Sequence, residues 1–209
     1  DGVSPASFGS GDLASKQLTD VAIERWPAIL DMYLNNDPDL DEFQIIYELM
    51  REANQRIIDH VNLHHFPFKG TPHEVMGTTA LVAIINHGIV TLGSLGDSRA
   101  YLQRGTSFEQ ITIDHNLWTL SILEGASADN ALSLPHGDAL ARCLGTFIVE
   151  DHKLDALHPQ PDIFRFPIMS GDTLLMTTDG LIDFGGANTL ASEDNILSLM
   201  LAENNPALA

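Results

Sequence analysis

The chain predicts an α+β fold in which helices and antiparallel strands occupy separate stretches. Three observations carry that prediction. Apolar residues in the first third recur at helical spacing. From residue 78 the pattern shortens to apolar and β-branched runs broken by glycine-containing turns. No helical stretch separates those runs before residue 113, whereas a doubly wound parallel sheet needs a crossover after each strand.

Each element follows in order. Leu13, Leu18, Val21, Ala22 and Ile29 mark one face of a helix from Asp12 to about Asn35, and Pro27 is expected to break or kink it. NNDPDLDEF (35–43) is a turn-rich connector that places acidic residues near the next helix start. Phe43, Ile46, Tyr47, Met50, Ala53, Ile57 and Val61 keep i, i+3, i+4, i+7 spacing, which predicts about six turns of amphipathic helix ending at His64. HHFPFKGTPHE (64–74) reads as loop. Residues 78–113 read as a meander of antiparallel strands, turning at Asn86-His87-Gly88, Gly96-Asp97-Ser98 and Gly105-Thr106-Ser107. Residues 117–146 read as mostly helical, interrupted at Pro135-His136-Gly137. DIFRFPI (162–168) and TLLMTTD (173–179) form a further hairpin around Ser170-Gly171-Asp172. SEDNILSLMLAE (192–203) is a last helix with Ser192 as its N-cap.

Length and composition fit one domain, residues 1–209, with 44% hydrophobic residues available for a core. No apolar run approaches the roughly 20 residues that span a bilayer, and the small, polar first residues do not form a signal peptide. A single cysteine, Cys143, excludes an internal disulfide framework and fits a reducing, cytoplasmic setting. Acidic residues number 29 against 10 basic ones, a net charge of −19, which argues against nucleic acid and membrane surfaces as partners. Such a surface aids solubility, and it also admits a carboxylate site for hard divalent cations; composition does not choose between them.

Three aspartates sharpen the second reading. GIVTLGSLGD ends in Asp97, DTLLMTTD ends in Asp179 followed by Gly180, and Asp1-Gly2 stands before a helix. A carboxylate at the end of a buried strand is held rigidly yet faces a cleft, and an adjacent glycine lets a ligand approach the backbone. Several such carboxylates at one sheet end repel one another unless a cation neutralises them, and oxygen-only ligation points to magnesium, manganese or calcium. Taken singly, each dipeptide is also a common turn former.

Five further stretches occur in order: MGTTALVAII (76–85), LGDSRAYLQRG (95–105), ITIDHNL (111–117), DALARCLG (138–145) and LLMTTDGLID (174–183). Together with DGVSPASFGSGDLAS at the start, they resemble the motifs of the PPM/PP2C family of metal-dependent serine/threonine protein phosphatases, in a bacterial version. The resemblance spans essentially the whole chain. It implies a four-layer α-β-β-α sandwich of two antiparallel sheets flanked by helices, with a metal centre at one end of the sheets. By position, Asp1 resembles a carboxylate bridging two Mn2+ or Mg2+ ions, and the Gly2 carbonyl a backbone ligand. Asp179 resembles a further ligand, and Asp97 the carboxylate that joins Asp179 at a third ion. The implied activity is hydrolysis of phosphoserine and phosphothreonine in proteins by a metal-activated water, with Asp1 and Asp179 as catalytic residues. The implied partner is a phosphorylated protein served by a serine/threonine kinase, in bacterial signalling.

Other motif residues read as structural. Gly77, Thr78 and Thr79 start a central strand, Arg99 braces a hairpin, Arg142 and Gly145 hold a loop, and Asp114-His115 forms a side-chain-capped turn. Asp183 is either an outer partner of the site or exposed. His60 and His64 stand at i, i+4, a spacing that can chelate zinc, but at a helix end and with no cysteine beside them.

The pattern departs from the family in three ways. Relatives carry a strand pair before the Asp-Gly motif, with an arginine for the phosphate and an acidic metal ligand. They also end on an Asp-Asn motif, for which Asp194-Asn195 comes too soon after Asp179. Many place a histidine shortly after Asp-Gly as proton donor, whereas the first histidine here is His60; a metal-bound water would then serve the leaving oxygen. The expectation is a chain with edge elements missing at both termini. An alternative is a degenerate regulatory or binding module that keeps a cation site with little or no turnover. A third is the same chemistry on one dedicated phosphoprotein in a partner-switching pathway.

Overall fold

Two long helices form where the apolar spacing places them. The structure, a computed structural model, describes residues 1–3, 6–181, 196 and 198. Helix α1 (Gly11–Leu34) buries Ala14, Val21 and Ile29, and α2 (Glu42–His65) buries Ile46, Leu49, Met50, Ala53, Ile57, Ile58 and Val61. The connector supplies the start of α2, where the Asp41 carboxylate accepts from the Phe43 N–H at 3.0 Å. The expected break at Pro27 does not occur, and α1 runs through it. Proline removes the hydrogen bond to the Ile23 carbonyl, and both residues lie on the exposed face, where water replaces it. Two exposed arginine links, Arg25 to Glu52 and Arg56 to Glu24, both 2.6 Å, clip α1 to α2 on this stretch.

In chain order the strands are β1 (Gly2–Val3), β2 (Gly77–Thr78), β3 (Ala80–Asn86), β4 (Ile89–Leu95), β5 (Arg99–Arg104), β6 (Ser107–Gln110), β7 (Phe147–Glu150), β8 (Lys153–Ala156), β9 (Asp162–Pro167) and β10 (Thr173–Thr177). They make two three-stranded antiparallel sheets, ordered β3-β4-β9 and β10-β5-β6, and two short pairs, β1 with β2 and β7 with β8. Strand alternation builds two cores. Ala80, Val82, Ile84, Leu95 and Ile163 point to α1 and α2. Their neighbours Leu81, Ala83, Val90, Leu92, Phe164 and Phe166 meet Ala100 and Leu174 of the second sheet and Ile111 just past β6. The fold is an α+β sandwich whose helix pair covers the first sheet.

Three expectations change. Residues 78–113 are not one meander, because β4 and β5 belong to different sheets, and Gly96-Asp97-Ser98 carries the chain from one to the other. Residues 162–179 are likewise no hairpin, since β9 pairs with β4 and β10 with β5. A Gly-Asp step marks a change of direction and leaves open which strand the chain joins next. Within 117–146 only α3 (Leu117–Leu123) and α4 (Ala128–Leu132) are helical. The remainder spends its backbone on tertiary hydrogen bonds. Leu144 exchanges N–H and C=O bonds with Thr78, Ala141 N–H reaches the His115 carbonyl, and Leu117 N–H reaches that of Ala139. Buried Asn54 on α2 completes the anchoring, accepting from the N–H groups of Gly145 and Thr146 and donating to the carbonyls of Thr146 and Leu157. The β7–β8 hairpin answers to no sequence expectation. The last helix at 192–203, Asp183 and Asp194-Asn195 lie outside the described residues, apart from helical Ile196 and Ser198.

Candidate active site

Asp1 is fixed through its backbone. Its carbonyl accepts from the Thr79 N–H at 2.9 Å and from the Thr78 hydroxyl at 2.6 Å, and its nitrogen donates to the Thr79 hydroxyl at 3.0 Å. The register then sets Gly2 opposite Thr78 and Val3 opposite Gly77. Gly2 lies directly on the first turn of α1, where a Cβ would fall 2.1 Å from the Gly11 carbonyl carbon. This is why both positions are glycine: strand and helix touch backbone to backbone.

Asp97 follows the end of β4. Gly96 before it takes φ +110°, and a Cβ there would meet Thr79 Cγ2 at 2.6 Å. Ser98 after it shares a 2.8 Å hydrogen bond with the same Thr79 hydroxyl, so Thr79 links Asp97's neighbour to Asp1. Asp179 begins a turn of 3-10 helix just beyond β10.

The three aspartates meet at one place. Asp1, Gly2, Val3, Thr79, Asp97, Leu140 and Asp179 line a cleft of about 200 Å³. Asp1 also borders two neighbouring cavities, of about 660 Å³ against Ser10, Asp12 and Ser15, and of about 280 Å³ against Thr19, Ser98 and Thr178. A separate cavity of about 310 Å³ between α1 and α2 shares no lining residue with them. Burial, with Asp97 beside it, pushes the Cys143 thiol up to about 11, so it stays protonated and unreactive at neutral pH. Among the described residues no three His, Cys, Asp or Glu side chains are gathered into a set that could hold a metal ion.

Other motif residues fall around this cleft. Arg99 grips Asp114 through Nε, 3.0 Å from both carboxylate oxygens, and through Nη2 at 2.6 Å, as a brace between β5 and the 111–116 turn. Arg142 Nη1 donates to Asp162 at 3.0 Å and to the Gln160 carbonyl at 3.1 Å, the loop-holding part expected of it. His115 was expected in a capped turn. It is instead 3% exposed and bonded to both Gly96 and Asp162. Its trace in the sequence is the Asp114-His115 pair within the family-like stretch ITIDHNL. His60 and His64 stack at 4.1 Å between ring centroids, and the His64 ring bonds the His60 carbonyl, with no third ligand among the described residues.

Comparison with known proteins bears on the whole arrangement. Residues 13–118, half of the chain, match the family model described as Protein phosphatase 2C. The serine/threonine phosphatase stp of Listeria welshimeri is 29% identical over 154 residues, covering 62% of this chain and 58% of its own length. The chain thus spans less than two thirds of that relative. The crystal structure of the serine/threonine phosphatase PstP/Ppp of Mycobacterium tuberculosis superposes with a TM-score of 0.67 at 24% identity, over 100% of this chain and 74% of that one. The catalytic domain of PstP in complex with two manganese ions gives a TM-score of 0.62 at 23% identity, over 100% and 74%. Among the described residues no helix is long and apolar enough to cross a membrane. With the model matched from the first turn of α1 to the start of α3, the chain belongs to the protein phosphatase 2C family.

Proposed function

We propose that residues 1–209 are the core of one catalytic domain that hydrolyses phosphoserine and phosphothreonine in proteins with Mn2+ or Mg2+. The carrying observation is the convergence of Asp1, Asp97 and Asp179 on one cleft at the end of the two sheets. The donor set fits the cation by its chemistry: three carboxylates and the Gly2 carbonyl are all hard oxygen donors, and two or three divalent ions suit them better than zinc or copper. Asp1, Gly2, Asp97 and Asp179 would hold these ions, with Asp1 and Asp179 in the catalytic role. Bound there, the cations lower the pKa of water and offset charge on the phosphoryl oxygens.

The chain's own part is positioning. Thr78 and Thr79 hold the Asp1 backbone with three hydrogen bonds, and Thr79 shares its hydroxyl with Ser98. This fixes two of the carrying segments relative to each other before any ligand arrives. The net charge of −19 favours a protein substrate over nucleic acid or an anionic membrane surface. The setting we propose is cytoplasmic signalling opposite a serine/threonine kinase; the names of the relatives, serine/threonine phosphatase stp and protein phosphatase PhpP, support the phosphoprotein substrate.

Manganese-dependent release of phosphate from a phosphothreonine peptide tests this reading. It is expected to vanish with EDTA and in Asp179→Asn. A fully active Asp179→Asn would defeat the assignment. A second reading, a regulatory module that binds a cation with little turnover, draws on the sequence, where no histidine precedes His60. Calorimetry showing tight Mn2+ binding without phosphate release would select it.

A further inference from the structure

The segment Gly96-Asp97-Ser98 is held from both sides. On one side Ser98 leans on Thr79. On the other, the Gly96 N–H donates to His115 Nδ1 at 3.1 Å, and the His115 N–H donates back to the Gly96 carbonyl at 3.0 Å. Both polar groups of the residue before Asp97 are thereby tied to one histidine. Since Gly96 donates to Nδ1, that nitrogen is the acceptor, and the ring proton sits on Nε2. Nε2 points at Asp162 Oδ2, 3.1 Å away, and the other oxygen of Asp162 takes the Arg142 guanidinium at 3.0 Å. The order Gly96–His115–Asp162–Arg142 draws on four separate stretches of chain and sets both tautomer and ring plane.

We propose that His115 is the positioning residue for Asp97: it fixes the peptide unit ahead of that carboxylate and thereby aims it into the cleft. The His115 carbonyl extends the same control to a second wall, because it accepts from the Ala141 N–H at 2.7 Å, next to the cleft residue Leu140. His115 touches neither substrate nor cation and acts through Gly96, as the outer partners of metal ligands do. The consequence for cation affinity rests on the reading of Asp97 as a ligand.

Two near-isosteric variants separate the functions of the ring. His115→Asn keeps an acceptor where Nδ1 stood and loses the reach to Asp162. His115→Gln keeps a donor near Nε2 and loses the bond to Gly96. Two readouts are taken on the full chain: hydrogen-exchange protection of the Gly96 amide, and the Mn2+ dissociation constant from the paramagnetic resonance of free Mn2+. Thermal unfolding of each variant accompanies them. His115→Gln is expected to lose Gly96 protection and about 10- to 100-fold in Mn2+ affinity, while His115→Asn stays within about threefold of the parent. Unchanged Gly96 protection and affinity in His115→Gln would overturn the proposal. So would equal losses in both variants that track their unfolding temperatures, which mark a purely structural residue. Asp97→Asn is the control for the underlying reading. If it binds Mn2+ like the parent, the ligand assignment falls, and the Gly96 amide still decides whether His115 positions the segment.

Discussion

Among the described residues the chain makes two short crossings between its sheets, and both are built on the same dipeptide. Gly96-Asp97 joins β4 to β5, and Gly171-Asp172 precedes β10 on the way from β9. Both glycines lie in the left-handed region, at φ +110° and +93°. The register places the crossings at opposite ends of the first sheet, since Ile89 pairs with Pro167 and Ser94 with Asp162. At the far end Arg104 closes on Asp172 through Nε at 3.0 Å and Nη2 at 2.6 Å, and the Met169 N–H adds a bond at 2.8 Å. At the near end the segment is held on either side of Asp97, by the Gly96 backbone through His115 and by the Ser98 hydroxyl through Thr79, and Asp97 lines the cleft. The Asp172 carboxylate bonds within its own crossing, whereas the residues on either side of Asp97 are held by His115 and Thr79. The same dipeptide is thus restrained through different atoms at the two crossings.

The largest effect that could break this contrast is on turnover. Asp97→Asn is expected to lower phosphate release from a phosphothreonine peptide by at least about 100-fold, more than loss of an outer partner would. Asp172→Asn is expected to leave the rate unchanged at 25 °C while lowering the unfolding temperature. Similar rates for the two variants would erase the distinction.

A smaller effect concerns the glycines. Alanine at 96 meets both a left-handed φ and Thr79 Cγ2 at 2.6 Å, whereas alanine at 171 has nothing within 4 Å. Urea unfolding should therefore show a loss of about 3 kcal/mol for Gly96→Ala, against about 1 kcal/mol for Gly171→Ala, where only backbone strain acts. Equal losses would mean that Thr79 moves aside at no cost, and that the Thr79 link to Asp1 is slack.

The contrast also explains what the sequence could and could not tell. The helix pair was legible because its spacing is local: Ile46, Met50, Ala53 and Ile57 lie on one face wherever that helix goes. Asp97 and Asp179 were legible as ends of apolar runs, and their resemblance to family motifs placed them at one site. Strand partners were not, because a turn at Gly96 or Gly171 reads the same whether the chain folds back or crosses over. The extended path of 138–145 was hidden for a related reason: it depends on Thr78, His115 and Asn54, none of them neighbours in sequence. The network behind Asp97 suffers most from this, since no window of the chain contains Gly96, His115, Arg142 and Asp162 together.

Acid should part the two crossings by the smallest but most specific effect. Burial holds the pKa of His115 below the ordinary histidine value, helped by Arg142 and outweighing the opposite pull of Asp162 and Asp114. The locally opened state takes up its proton near pH 6.5, and the closed state only at lower pH. The closed near-end crossing therefore loses stability as the pH falls from about 6.5 through the lowered value, by at most about tenfold in the opening equilibrium per pH unit. The far end has the other dependence. The hydrogen bonds of Arg104 and Met169 hold the pKa of Asp172 below the ordinary carboxylate value, so its contribution persists down to about pH 4 and is lost below that. Amide exchange, corrected for intrinsic rates, should show Gly96 losing protection before Met169 as the pH is lowered, and His115→Asn should remove the upper step. If both amides lose protection together in the parent, the two crossings open as one unit, and their separate restraints have no energetic meaning.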